Sequence, residues 1–199
     1  LVSAHSDNIY MDARLFERVK AVYEGRDAMN YTVEQNRLLD KIYNAFVRNG
    51  ISLPEAEQAR MREINAELST LQQKFGNNLL AETNAFKLVL ETEEDLAGLP
   101  EAVRTAAAEA AKAEGLEGKW VIGLQNPSRI PFLQYSERRD LREKVYKAYI
   151  ERGNNGNEND NKEIVLQIMK LRIEKANLLG FETSADFILD DTMAKNRTL

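Results

Sequence analysis

The sequence predicts a mainly α fold of helical bundles or hairpins, with a small β excursion at about residues 86–135. Three observations predict it. Residues 136–180 hold two apolar stripes at helical spacing, separated by the turn-forming run Gly153-Asn154-Asn155-Gly156-Asn157. Met61, Ile64, Leu68, Leu71 and Phe75 alternate spacings of three and four, the seam of a helix that packs lengthwise on a neighbour. Residues 86–91 (FKLVLE) alternate instead with the two-residue period of a strand, and residues 119–124 (KWVIGL) are a second strand candidate.

Taken in order, residues 12–24 carry Leu15, Phe16, Val19, Val22 and Tyr23, a short amphipathic helix. Thr32-Val33-Glu34-Gln35 has the form of a capping box, in which hydroxyl and amide satisfy free backbone donors reciprocally. It opens a helix with Leu39, Ile42, Tyr43 and Phe46 on one side, stopped by Asn49-Gly50. Pro54 sits where its missing N–H costs nothing and opens the longest helix, expected to pair with residues 32–49 as an antiparallel hairpin. Gly76-Asn77-Asn78 is a place to kink or end it, although Leu79, Leu80 and Phe86 favour its resumption. A short helical turn is expected at 94–98 and an Ala-rich helix at 100–115. Asn126-Pro127 and Ile130-Pro131 break regular structure around Phe132-Leu133-Gln134-Tyr135, a third strand candidate with both prolines at an edge or turn.

Ser136 is the expected N-cap of the next helix, which carries Leu141, Val145, Ala148 and Tyr149. Ile164, Ile168, Leu171, Ala176 and Leu179 define its successor, and Gly180 stops it. Thr183 or Ser184 caps a last helix with Phe187, Ile188 and Met193.

At 199 residues, 43% hydrophobic and 30% charged, the chain can bury a core and suits one domain or one lobe of something larger. A net charge of −5 argues against a nucleic-acid partner, which calls for a basic face. No run approaches the roughly 18 apolar residues of a membrane span. With no cysteine, disulfides and thiolate chemistry within the chain are excluded, and the cytoplasm is favoured, with the periplasm as the alternative. The chain opens on Leu1 rather than Met and closes on Arg197-Thr198-Leu199 without punctuation, so we expect a piece of a longer protein.

No self-contained chemistry emerges from the residues. A zinc site of the HExxH kind needs two imidazoles one helical turn apart, and His5 is the only histidine. It lies at a terminus expected to fray. The 153–156 run lacks a preceding strand and a following Lys-Ser/Thr, so it is a plain turn and no phosphate loop. Asn154 to Asp160 lacks the alternation and closing glutamate of a calcium loop. Glu93-Glu94-Asp95 and Asp190-Asp191 are read as solvated surface, because acid–base work needs a desolvated carboxyl. Tyr135, Tyr146 and Tyr149 flank Arg138, Arg139 and Arg142, a mix able to offer donors to a ligand but more commonly packing at a core edge. Trp120 is expected in the core. Candidate catalytic, cofactor-binding and metal-binding residues are therefore none.

Several segments resemble the thimet oligopeptidase, peptidyl-dipeptidase Dcp and oligopeptidase A family of zinc metallopeptidases. They are Phe75-Gly76-Asn77-Asn78-Leu79-Leu80 with Glu82-Thr83-Asn84-Ala85-Phe86, and Asp95-Leu96-Ala97-Gly98-Leu99-Pro100. Others are Arg139-Asp140-Leu141-Arg142 with Tyr146, Asn159-Asp160-Asn161, Leu171-Arg172, Lys175 to Phe181, and Met193-Ala194-Lys195. The resemblance leans to the Dcp branch. It implies that residues 1–199 form a single helical lobe from the N-terminal portion of a longer peptidase, with the catalytic domain absent. Zinc would belong to the parent and none to this fragment, which would be inactive alone. The parent would hydrolyse short peptides, releasing C-terminal dipeptides, and this lobe would wall the substrate channel. The implied partners are short peptides and the missing catalytic lobe, with self-association of the fragment through a face meant for that lobe. The rival reading is a non-catalytic helical adaptor.

Overall fold

The computed structural model describes residues 2–196. Leu1, Arg197, Thr198 and Leu199, on which the expectation of an excised piece partly rests, lie outside the described residues. The architecture is mainly α, with one two-stranded antiparallel sheet among the described residues. It divides into two compact units: residues up to Gln72 together with those from Val165 onward, and Gln73–Ile164. The division falls inside two continuous helices, α4 (Glu55–Ala85) and α8 (Lys162–Leu178).

The first unit contains α1 (Val2–Tyr10), α2 (Ala13–Glu24) and α3 (Val33–Arg48). It also holds the adjoining parts of α4 and α8, and α9 (Ser184–Asp190). Asp12 caps α2 by accepting the Leu15 N–H at 2.9 Å. The Thr32–Gln35 capping box forms in full. The core gathers Met11, Phe16, Phe46, Ile51 and Met61. Helix α3 lies along α2, where Phe16 meets Phe46 and Tyr43, and Tyr23 stacks on Tyr43 at 4.0 Å. Phe46 of α3 also shares this core with Met61 of α4. In this unit α8 reaches α4 as well, through Arg60–Glu174 at 2.6 Å and Lys175–Asn65 at 2.7 Å. Thr183 caps α9, which ends at Asp190 and leaves Met193 outside it and fully exposed.

The second unit holds β1 (Leu88–Leu90), α5 (Glu101–Ala113) and β2 (Trp120–Ile122), with Leu88 opposite Ile122 and Leu90 opposite Trp120. Next come α6 (Asn126–Tyr135) and α7 (Arg139–Ile150). Its core comprises Leu90, Leu96, Leu99, Ile122, Leu124, Phe132, Leu141 and Val145, with Trp120 packed at the edge. The expected third strand is a helix. Pro127 sits in the first turn of α6, where it is tolerated, and only Pro131 lies inside. That proline costs roughly 3 kcal/mol. Full burial of Phe132, worth about 2–3 kcal/mol, offsets most of this. The Ser128 hydroxyl, accepting the Gly123 N–H, and Arg129, donating to the Leu124 carbonyl, fasten the same turn.

Ser136 is not the N-cap of α7, which starts at Arg139 with Arg138 in the cap position. Its buried hydroxyl accepts the Arg138 N–H in the link before the helix. Gly98, in the loop before α5, has φ +81°, and a Cβ there would strike the Tyr135 carbonyl, so only glycine fits. Gly76 neither ends nor breaks α4; it sits on an open side where a missing side chain leaves no void.

Candidate functional site

Two polar constellations stand out, both within the second unit. The first is the loop between α7 and α8, which closes on Glu82 of α4. The Glu82 carboxylate, buried at 8% exposure, accepts the Gly153 N–H at 2.6 Å, Asn155 Nδ2 at 2.9 Å and Asn157 Nδ2 at 2.8 Å. Burial by itself would raise its pKa, but these three donors outweigh it and hold the carboxyl below its ordinary range. One turn earlier on α4, buried Asn78 donates to Asn161 Oδ1 at 2.9 Å, and Asn161 donates to the Phe75 carbonyl at 3.2 Å. Arg152 donates to the Thr83 hydroxyl at 2.6 Å. Gly153 has φ +73°, and a Cβ there would lie 2.7 Å from Asn161 Nδ2. The plain turn is thus an organised clamp, with its donors aimed at one carboxylate.

Asp160, at the end of the loop, is also engaged. Asp160 accepts the N–H groups of Gly156 and Lys162, each at 2.8 Å, and pairs with the Lys162 ammonium. The Lys162 contacts hold it at about 2. An Asp160 carboxylate that already faces two backbone donors and an ammonium offers a cation little.

The second constellation is the outer side of α7. The structure separates the three tyrosines read together from sequence. Tyr149 is half-buried between the Arg129 guanidinium at 3.5 Å and that of Arg152 at 3.9 Å, and it packs on the core. Tyr135 and Tyr146 are exposed. Arg138 spans Asp95 and Asp140, and Arg142 donates to the Ser136 carbonyl. Arg139, Arg142, Glu143 and Tyr146 line a shallow pocket of about 340 Å³ floored by Leu133. This face offers a phenol, two guanidiniums and a carboxylate, groups able to hydrogen-bond carbonyl or carboxylate oxygens.

The carboxylate pairs divide. Glu93 is exposed, while Asp95 is largely shielded and accepts the N–H groups of Glu91 and Thr92. Asp190 and Asp191 form surface ion pairs with Arg48 and Lys41 in the first unit. His5 lies exposed on α1 rather than in a frayed end. Also in the first unit, buried Asp7 accepts Asn65 Nδ2 at 2.8 Å, and Asn65 in turn accepts the Lys175 ammonium. Burial holds Lys175 below the ordinary lysine range, against the pull of Asp7. Among the described residues no group of three His, Cys, Asp or Glu side chains could hold a metal ion. No described helix is long and apolar enough to cross a membrane.

Comparison with known proteins supplies what the geometry lacks. Residues 132–198 match the model of Peptidase family M3. Over 98% of its length the chain is 37% identical to a dipeptidyl carboxypeptidase of Salmonella typhimurium, covering 28% of that protein. It is 36% identical to oligopeptidase A of Haemophilus influenzae, again over 98% of this chain and 29% of the relative. Over 90% of the chain it is 34% identical to a probable cytosolic oligopeptidase A of Arabidopsis thaliana, covering 26% of that protein. Along most of its length, then, the chain is similar to dipeptidyl carboxypeptidase and oligopeptidase A relatives, and its last third matches the family M3 model. It spans less than a third of the length of these relatives. The segment matching family M3 carries the clamp's donors and the α7 face, whereas the acceptor Glu82 lies upstream of it.

Glu82 was legible as part of a family-like string but not as a hub. The available signal is Asn78 and Glu82 four residues apart on one helix, matched by an amide-rich loop with donors to spare.

Proposed function

We propose that this chain is the N-terminal helical lobe of a longer family M3 peptidase that releases C-terminal dipeptides from short peptides. The observation that carries the reading is the 37% identity to a dipeptidyl carboxypeptidase along 98% of the chain. The parent is read as a zinc enzyme whose ligands lie outside residues 1–199, since the described residues offer the ion no site. In this reading the lobe walls the substrate channel and contributes binding rather than bond-breaking. The α7 face is its best candidate surface, because Tyr146 and Arg139 are exposed there beside a pocket. The Glu82 clamp holds the end of α7 to α4 and so fixes that face. The cytoplasm is the compartment we assign, and short peptides and the remaining lobe are the partners.

Incubating the full-length protein with a short unstructured peptide and weighing the products tests this. Successive losses of two residues from the C-terminus are expected. Internal cleavage alone would favour an oligopeptidase over a peptidyl-dipeptidase, and no cleavage would contradict both.

A further inference from the structure

Helix α8 is apolar on two opposite sides. Within the first unit Ile168 and Leu171 are buried, at 9% and 7% exposure. On the far side Val165, Leu166, Met169 and Ile173 are 43%, 52%, 51% and 45% exposed. A helix needs only one apolar stripe to pack on a core, and a second stripe belongs to a helix covered on both sides. Leu166, Met169 and Ile173 follow spacings of three and then four, the a/d seam of helix-on-helix packing. Lys170 and Arg172 take the e and g positions flanking that seam.

We propose that this face of α8 docks a helix from the polypeptide beyond residues 1–199, carrying an apolar seam flanked by carboxylates. The inference rests on the reading that the chain is one lobe of a longer peptidase. Two observations select the occupant. Flanking cations on both edges call for an acidic partner. A second copy of this chain running parallel would set the Lys170 edge against the Arg172 edge of its partner, and like charges at these positions repel. The relatives supply the length, since this chain covers only 28% of the dipeptidyl carboxypeptidase it matches.

The five methionines provide the test, because thioether oxidation follows exposure. Met61 is fully buried, whereas Met29 at 53% matches Met169 at 51%. In the 199-residue chain, limited peroxide treatment followed by peptide mass analysis should oxidise Met169 and Met29 at similar rates, with Met61 spared. In the full-length protein Met169 should react roughly tenfold more slowly than Met29. The double change Lys170→Glu and Arg172→Glu should restore its reactivity. Equal Met169 oxidation in both proteins overturns the inference, as does protection that survives the charge reversal. Protection that grows with concentration of the 199-residue chain overturns it in favour of a second copy. A peptide-cleavage assay on the same samples separates the two readings. Cleavage with Met169 reactive defeats the docking face alone, and protection without cleavage defeats the peptidase reading alone.

Discussion

The Glu82 clamp and the outer face of α7 belong to one unit and draw on the same kinds of side chain, yet they are built to opposite ends. In the clamp the polar groups face inward, and a single carboxylate absorbs three donors at 2.6–2.9 Å. On α7, Tyr146 and Arg139 face outward beside a pocket. Satisfied, buried polar groups rigidify a structure, whereas exposed donors beside a groove remain available to a ligand. The difference separates what identifies this chain from what could serve its function. The family-like strings around residues 75–86 and 159–161 mark the clamp, and the clamp is architecture.

That contrast can be broken by substitution. The largest effect is expected for Glu82→Ala, which strips the loop of its acceptor. Losing hydrogen bonds to a buried carboxylate should cost about 3 kcal/mol in urea unfolding. A cost within experimental error would show that the loop holds itself. Glu82→Gln should recover only part, since an amide presents one acceptor oxygen to three donors. The difference between wild type and Glu82→Gln should also depend on pH. The folded-state carboxyl lies below its ordinary range. Its contribution is therefore fully present above the unfolded value of about 4.3 and is lost as pH falls through the folded value. Stability measured from pH 7 downward should show the two proteins converging in acid, near the unfolded value and below it. A constant gap would place the clamp's strength elsewhere.

An intermediate effect is expected for Gly153→Ala, which combines a left-handed φ with a close approach to Asn161. About 1–2 kcal/mol should be lost, and neutrality would mean that the loop relaxes freely. The smallest effect on stability belongs to Tyr146→Ala and Arg139→Ala, within roughly 0.5 kcal/mol. In the full-length protein the same changes should raise KM for a short peptide several-fold. An unchanged KM would remove the α7 face from the channel.

The helices were legible wherever one apolar stripe met a standard cap. Thr32 and Gln35, Thr183 and Gly180 all behave as their local chemistry dictates. Where tertiary packing decided the matter, local signals misled. Phe132 was assigned to a strand because two prolines lay before it, yet burying its ring against Leu124 and Val145 carries the helix through Pro131. Ser136 had the right side chain for a cap, but burial assigned its hydroxyl to the Arg138 N–H outside the helix. The α4 seam is a packing surface, with Met61, Ile64 and Leu68 buried, but its periodicity does not say that α8 also meets this helix. The polar clusters were less visible still. Tyr146 and Tyr149 look alike in the sequence, and only the cations above and below Tyr149 distinguish core edge from open surface.

If this chain supplies architecture and binding surface to a longer peptidase, the bond-breaking groups lie elsewhere in the polypeptide. The most direct measurement compares the 199-residue chain and the full-length protein on the same fluorogenic peptide, with and without a metal chelator. Chelator-sensitive cleavage by the full-length protein and none by the shorter chain is expected. Cleavage by the 199-residue chain alone, abolished by chelator, would contradict it.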